Sequence, residues 1–244
     1  MNRLNKFSSI LGENWVIGRY LFPILTTMGQ TQRGILLDLA CGESPFHQCF
    51  PAVQTYLRMD QNPLDQEVIP GDMLAIPLDN QSVDIILLFQ AITDVPYPIE
   101  VLQEAKRVLK YTGKLLIFES MAYPEHDAPN DFYRLMPQGL GVLAADAGLN
   151  LEKCIRLGGL FTRFASLWNT FVMGELKRHI LLRPLGHLGV IAANLLCYSL
   201  DRLLPHPRLA SDYLAILVPN DEIPKDHYAL AQVQRNSTRI ITTA

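Results

Sequence analysis

The stretch ILLDLACG at residues 35–42 decides the fold of this chain. Its first part, Ile35 to Leu39, is almost entirely apolar, which is typical of a strand buried on both faces of a parallel sheet. Small residues follow at Ala40, Gly42 and Ser44, so the backbone there can approach a ligand closely. A buried strand that runs into such a turn predicts the carboxyl edge of an open α/β sheet, where these folds bind their ligands.

Strand-like and helix-like segments alternate along the rest of the chain. Strands are predicted at residues 35–39, 56–60, 83–89, 113–119, 149–157 and 213–218. Helices are predicted at residues 15–28, 99–110 and 137–148, the second of them ended by Thr112-Gly113. This alternation is the signature of βαβ units. We therefore predict an α/β protein, a Rossmann-like three-layer sandwich with a mostly parallel central sheet.

An apolar insertion at residues 160–204 precedes the last predicted strand. It is helical by pattern and carries a basic cluster at Lys177, Arg178, His179 and Arg183. Three interpretations remain open: a lid over the substrate cleft, a helical hairpin or dimer contact packed on the domain, and helices resting on a membrane surface. Its uncharged part, residues 184–200, is short for a bilayer span of about 20 residues, so no crossing is predicted.

Composition narrows the class of protein. The 244 residues fit one large α/β domain, which we place at 1–220 with an N-terminal helix at 14–30, a core at 35–119 and a polar tail at 221–244. A net charge of −3 argues against a nucleic-acid partner. The cysteines lack metal-ligand spacing, which predicts free thiols and no metal. Without an apolar signal segment at the N-terminus, we expect a cytoplasmic protein, with peripheral membrane attachment through the insertion as the alternative. The oligomeric state stays open.

Two acids stand where a nucleotide-binding sheet needs them. Asp38 immediately precedes the small-residue turn, and Asp60 ends the second predicted strand. An acid about 20 residues after such a turn is placed to accept both hydroxyls of a ribose. The turn alone also fits an ordinary strand-to-helix connection. These residues do not separate S-adenosyl-L-methionine (SAM) from NAD, because both contain an adenosine ribose.

A wider set of motifs resembles one family. Residues 35–119 resemble the class I SAM-dependent methyltransferases, and most closely the methyltransferase type 11 group. LLDLACG at 36–42 resembles the LDLGCG opening motif, and GDM at 71–73 followed by IPL resembles the GDA-x-x-LPF segment. SVDII at 82–86 resembles the SFD strand opening, and VLKYTGKL at 108–115 resembles the RVLKPGG-x-L turn. The motifs follow one another in the family's order and at its usual intervals.

The resemblance implies SAM as cofactor and assigns residues to its parts. Asp38 and Gly42, with Ala40 in the same turn, correspond to positions at the methionine moiety, Asp60 to the ribose hydroxyls, Asp72 to the adenine amino group, Met73 to the adenine ring and Gln90 to the sulfonium. The sequence departs from the pattern in two places. Ala40 and Ser44 replace glycines, and Thr93-Asp94 stands where relatives often carry Glu-His, so a base at that family position is absent.

The loop HDAPNDFYR at residues 126–134 is the candidate for the acceptor side. It follows the fourth predicted strand and resembles an H-x-x-P-x-D-[FY]-[YW]-R stretch of many bacterial methyltransferases of this type. Histidine is the side chain most often used as a base in enzymes, which makes His126 the predicted base, and Asp131 and Tyr133 complete the predicted catalytic set. Arg134 is suited to orient an anionic acceptor. The alternative is structural: Asp131 and Arg134 form an ion pair that orders the loop, and His126 caps a turn.

Together these observations predict methyl transfer from SAM to an oxygen or nitrogen of a small-molecule acceptor, such as a sugar or a lipid-linked intermediate. One alternative is a catalytically silent SAM-binding module, which the missing Glu-His pair favours. The other is a nicotinamide-dependent oxidoreductase, and the absence of a G-x-G-x-x-G turn counts against it.

Overall fold

Seven strands form one sheet at the centre of the computed structural model, which describes residue 7 and residues 9–126, 128–176 and 183–220. The strands are β1 (Ile35–Leu39), β2 (Thr55–Asp60), β3 (Val68–Pro70), β4 (Val83–Phe89), β5 (Leu109–Ser120), β6 (Leu149–Leu157) and β7 (Asp212–Pro219). Their order across the sheet is β3-β2-β1-β4-β5-β7-β6. The first five pair in parallel, and β7 runs antiparallel to both β5 and β6. The predicted fold class is confirmed.

Five helices accompany the sheet within the described residues. They are α1 (Trp15–Gly29), α2 (Pro98–Val108), α3 (Pro137–Asp146), α4 (Leu160–Leu176) and α5 (Arg183–Leu203). Successive strand residues point to opposite faces of the sheet, so the strands contribute to one apolar layer on each face. One layer joins residues such as Leu37 and Ile86 to α2 and α3, and the other joins residues such as Leu36 and Ile85 to α1.

The structure corrects two boundaries. The helix predicted to run to Lys110 ends at Val108, and β5 begins at Leu109, because Leu109 is buried and pairs with Val83 of β4. Thr112-Gly113 therefore lies inside the strand. A side chain at Gly113 would meet the Leu109 side chain at 2.7 Å, which explains the glycine. The three-residue strand β3 was not predicted, because it is too short to show a period.

The described part of the insertion forms two helices, α4 and α5, which pack antiparallel against each other; we call them the helix pair. Asp201 near the end of α5 accepts the backbone N–H groups of Phe161 (3.0 Å) and Thr162 (2.6 Å) at the start of α4. Asn194 Nδ2 donates to the carbonyl of Ile10 at 2.7 Å. No helix in the described part of the chain has the length and hydropathy that a membrane crossing requires. Lys177, Arg178 and His179, and the predicted tail at 221–244, lie outside the described residues.

Candidate active site

The turn after β1 is tied to the end of β2. Ala40 and Gly42 both have positive φ angles, of 55° and 49°. The Gly42 N–H donates to Asp60 Oδ2 at 2.7 Å, and the Cys41 N–H donates to the Met59 carbonyl at 3.0 Å. This left-handed backbone is uncommon for a residue with a Cβ, so Ala40 holds the turn in a conformation that favours glycine. The turn is thus sharply bent at the sheet edge where β1, between β2 and β4, reverses the strand order.

Asp60 and Asp38 have different hydrogen-bond partners at this turn. Asp60 accepts the Asn62 N–H at Oδ1 (2.8 Å) in addition to the Gly42 N–H at Oδ2. Each carboxylate oxygen has a second lone pair, so Asp60 retains capacity to accept two hydroxyls. Asp38 is 2% exposed and accepts the Tyr56 hydroxyl at 2.7 Å. Burial and the charge of Asp38 raise the pKa of Tyr56, so the Tyr56 hydroxyl keeps its proton and donates it in the hydrogen bond to Asp38.

Asp72 and Met73 follow β3, whose last residue, Pro70, pairs with Asp60. The Asp72 side chain is exposed and accepts the Leu74 N–H at 2.9 Å. Met73 is half-buried and packs against the apolar layer that contains α2 and α3. Asp72 and Met73, predicted to bind adenine, therefore follow the strand next to β2, whose last residue is Asp60, predicted to bind the ribose. Adenine and ribose are likewise adjacent in a nucleoside.

A cavity of about 150 Å³ lies at the carboxyl ends of β4 and β5. Its walls are lined by Phe7, Glu13, Asn14, Gln90, Thr93, Asp94, Glu119, Ser120, Tyr123, His126 and Arg134. Gln90, which follows β4 with a φ of 54°, and His126 are the predicted site residues on these walls. The lining is mostly polar or charged, so the cavity is suited to a polar ligand.

Glu119 is a site residue that the sequence analysis missed. It ends β5, is 3% exposed, and accepts the Ala91 N–H at 3.1 Å and the Thr93 hydroxyl at 3.4 Å. Burial raises its pKa to about 8, and the nearby charge of Asp94 adds to the shift. Glu119 is therefore mostly protonated at neutral pH. The available signal was a single carboxylate at the carboxyl end of an otherwise apolar strand.

His126 reaches the cavity from the loop after β5, and Asp131 orients it. His126 Nδ1 lies 3.2 Å from Asp131 Oδ2, and the same oxygen accepts the His126 backbone N–H at 3.0 Å. Arg134 pairs with both oxygens of Asp131, whose side chain is 5% exposed. These hydrogen bonds hold the pKa of the Asp131 carboxyl well below its usual range. The ion pair that orders the loop and the His–Asp contact thus coexist.

Tyr133 does not line the cavity. Its hydroxyl donates to the Pro96 carbonyl at 3.0 Å, and its backbone N–H donates to the Thr93 carbonyl at 3.1 Å. These contacts fasten the loop to the segment that follows β4. Its predicted catalytic role stays a prediction.

Asp94, His126 and Asp131 have potential metal-ligand atoms within 4.8 Å of one another. Arg134 already neutralises Asp131 through paired contacts, and its guanidinium opposes a second cation at the same carboxylate. The cluster is accordingly a hydrogen-bonded ion-pair network, and we assign no metal to it.

The residues at the carboxyl edge of the sheet fit SAM. The bent turn after β1 places its backbone at the edge of the sheet, where it can contact a ligand. Asp60 can still accept hydrogen bonds from the hydroxyls of a ribose. Sheet order and ligand edge together define the Rossmann-like fold of class I methyltransferases. A family model described as "Hypothetical methyltransferase" matches residues 23–127, which contain β1 to β5 and the turns between them. Together, this match and the fold support the assignment of the chain as a class I SAM-dependent methyltransferase, with SAM as its cofactor.

Solved structures share this fold. The [4+2]-cyclase SpnF is 15% identical with a TM-score of 0.55, and the match covers 82% of this chain and 80% of that one. A putative sarcosine dimethylglycine methyltransferase from Galdieria sulphuraria is 17% identical with a TM-score of 0.51, covering 86% and 85%. A putative methyltransferase from Bacillus halodurans is 18% identical with a TM-score of 0.50, covering 81% and 96%.

At these identities the likeness concerns the fold alone. The comparison with curated proteins found no match. Placement in the type 11 group stays a prediction, whereas the nicotinamide-dependent alternative has no support from the matched family.

Proposed function

We propose that this methyltransferase transfers the methyl group of SAM to an oxygen or nitrogen of a small polar acceptor held in the cavity beside Gln90. The observation that carries the proposal is the position of His126 and Glu119 on the walls of a polar cavity at the ends of β4 and β5. That edge is also where the turn after β1 and Asp60 form the proposed cofactor site. Cofactor and acceptor therefore share one end of the sheet.

We assign each cofactor-binding residue to one part of SAM. We assign the ribose hydroxyls to Asp60, the adenine to Asp72 and Met73, and the sulfonium end to Gln90, which faces the cavity. Asp38, Ala40 and Gly42 shape the turn at the methionine end. When bound, SAM supplies an electrophilic methyl group, so the protein's task is to align the acceptor and exclude water.

We assign complementary roles to two titratable groups on the cavity walls. His126 takes a proton from an acceptor hydroxyl, with Asp131 holding the imidazole in place at 3.2 Å. Glu119, protonated at neutral pH, donates a hydrogen bond to the acceptor. The lining offers several further hydrogen-bonding groups, including Asn14 and Ser120, which suits a sugar, free or carried on a lipid.

Replacement of His126 tests the proposal. His126→Ala lowers turnover by about 10²–10⁴-fold, the usual contribution of a positioned base, while the affinity for SAM stays unchanged. Transfer is measured with methyl-labelled SAM and a panel of hydroxyl- and amine-bearing acceptors, and affinity by titration calorimetry. The matched control is Phe132→Ala in the same loop, because the Phe132 side chain is exposed and does not line the cavity. Full turnover in His126→Ala with an oxygen acceptor contradicts the role of His126.

A catalytically silent SAM-binding module remains the second candidate. It is favoured by Thr93 and Asp94 at the position where relatives often carry Glu-His, and both residues line the cavity. Binding of SAM without transfer to any acceptor of the panel, together with equal inactivity of wild type and His126→Ala, supports this candidate over the enzyme.

A further inference from the structure

The outward sides of the helix pair are apolar. On α4 the exposed large apolar side chains are Leu160, Phe164, Leu167, Trp168 and Phe171. They recur at intervals of three or four residues, so they lie on one side of the helix. On α5 the corresponding residues are Leu185, Leu188, Leu195 and Leu196. We call these two sets the outer face.

The inward sides of the same helices are small or polar. Thr162, Ser166 and Asn169 of α4 are buried, as are Asn194 and Asp201 of α5. A helix on the surface of a globular protein normally turns its apolar side to the core and its polar side to water. The helix pair has the reverse arrangement, and a concentration of exposed apolar side chains marks a site of interaction.

Polar contacts fix this orientation. Asp201 accepts N–H groups at the start of α4, and Thr162 Oγ1 donates to the same carboxylate at 2.6 Å. Asn169 Nδ2 donates to Asn194 Oδ1 at 2.8 Å, and Asn194 in turn reaches the Ile10 carbonyl. Rotating either helix to hide its outer face breaks these bonds inside the protein, where unpaired polar groups are costly. Exposure of the outer face is therefore built into the fold.

The positive charge of the sequence at residues 176–200 favours one partner for the outer face. Residues 176–200 contain Lys177, Arg178 and Arg183 and no aspartate or glutamate. Lys177 and Arg178 stand in the sequence between the described parts of α4 and α5. Basic residues next to an apolar, aromatic surface fit a bilayer that carries anionic lipid. A second copy of the chain brings the same positive charge to the interface and is the less suited occupant.

We propose that the outer face docks on the surface of an anionic lipid bilayer, with Trp168, Phe164 and Phe171 entering the boundary between headgroups and acyl chains. Tryptophan is favoured at that depth, because its ring is apolar and its N–H is polar. No described helix suits a crossing, so the attachment is to one surface. Docking requires neither SAM nor acceptor, and it stands independently of the proposed function.

Vesicle flotation tests the proposal with the full chain. The wild type floats with vesicles of phosphatidylcholine and phosphatidylglycerol and stays unbound with phosphatidylcholine alone. The triple variant Phe164→Ser, Trp168→Ser, Phe171→Ser loses flotation, whereas the control Leu64→Ser, Tyr111→Ser floats like the wild type, since it removes comparably exposed apolar side chains elsewhere. Reversal of Lys177 and Arg178 to glutamate weakens binding at least about tenfold. Circular dichroism confirms that each variant is folded.

Fluorescence supplies a second readout at the outer face. The chain has two tryptophans, so Trp15→Phe leaves Trp168 as the single reporter. Its emission shifts to shorter wavelength on addition of the anionic vesicles and is quenched by bromine-labelled lipid. Unchanged emission together with absent flotation overturns the proposal. A wild-type dimer that the triple variant converts to monomer, with no vesicle binding by either, also overturns it and identifies the outer face as an interface between copies.

Discussion

The central sheet and the helix pair are built from similarly apolar segments, yet they treat their apolar side chains in opposite ways. In β1 and β4, residues such as Leu37 and Ile86 are fully buried between helices. In α4, Phe171 is 63% exposed while Asn169 is fully buried. Apolar content thus does not decide burial by itself. What decides it is the contact that holds each element: apolar packing in the sheet, and buried hydrogen bonds in the helix pair.

The largest effect is expected in the sheet. Ile86→Ala removes a fully buried side chain from the middle of β4 and leaves a cavity, so the free energy of unfolding falls by about 2–5 kcal/mol. Urea denaturation followed by circular dichroism measures the loss. A loss below 1 kcal/mol contradicts the view that apolar packing carries the sheet.

The helix pair is expected to respond most to the loss of a polar group. Asp201→Ala leaves the N–H groups of Phe161 and Thr162 without their partner, at a cost of about 1–3 kcal/mol. Hydrogen exchange at these two amides accelerates while the amides of β4 stay protected. Equal acceleration in both regions breaks the comparison, because it shows that the helix pair does not open separately. Asp201→Asn, which retains one acceptor oxygen, is the control and loses less.

A third effect depends on pH and arises at the edge of the sheet. Burial raises the pKa of Glu119 from 4.5 to about 8, so between these values the folded protein binds a proton that the unfolded chain does not. This contribution to stability is complete below pH 4.5, is lost as the pH rises towards about 8, and is absent above that value. From pH 5 to pH 8.5 the Tm of the wild type falls more than that of Glu119→Gln, by about 2–4 °C for each kcal/mol lost.

Glutamine keeps an acceptor for the Ala91 N–H and never ionises, which makes it the matched variant. Parallel Tm profiles of wild type and Glu119→Gln contradict the assignment of a protonated Glu119. Because Asp212 is also buried with a raised pKa, the comparison rests on the difference between the two proteins and not on the slope of either one.

The smallest effect is expected on the outer face. Phe171→Ala changes the free energy of unfolding by no more than about 0.5 kcal/mol, because the side chain is largely exposed in the folded protein. Denaturant midpoints of Phe171→Ala and Ile86→Ala, measured side by side, set the contrast. A cost of 2 kcal/mol or more for Phe171→Ala shows that the outer face is covered, by the rest of the chain or by a second copy.

The sequence was sufficient where burial and period coincide. The apolar runs of β1 and β4 have no helical period and fit a strand buried on both faces, and their predicted bounds are those observed. The period of α4 and α5 predicted helices but left open which side faces the protein. That choice depends on pairs such as Asn169 with Asn194, which are far apart in the sequence and have no local signal.

The candidate site, like the fold, was predicted from the sequence only in part. His126 was predicted because its loop follows a strand that ends at the ligand-binding edge, and Gln90 was predicted from the family resemblance; both line the cavity. Glu119 was missed because its protonation depends on burial and on contacts to Ala91 and Thr93 from another strand's end. The cofactor roles of Asp38, Ala40, Gly42, Asp60, Asp72 and Met73 stay predictions, and Asp60→Ala with SAM titration is the direct means to examine them.

The bond between Asn194 and the Ile10 carbonyl spans 184 positions of the chain. During synthesis at 5–20 residues per second, the carbonyl leaves the ribosome about 10–40 s before its partner is made. Until then the apolar residues of α4 have no fixed direction and are free to cluster with other nascent apolar segments. The order of translation therefore makes α4 the helical segment most in need of a chaperone during synthesis.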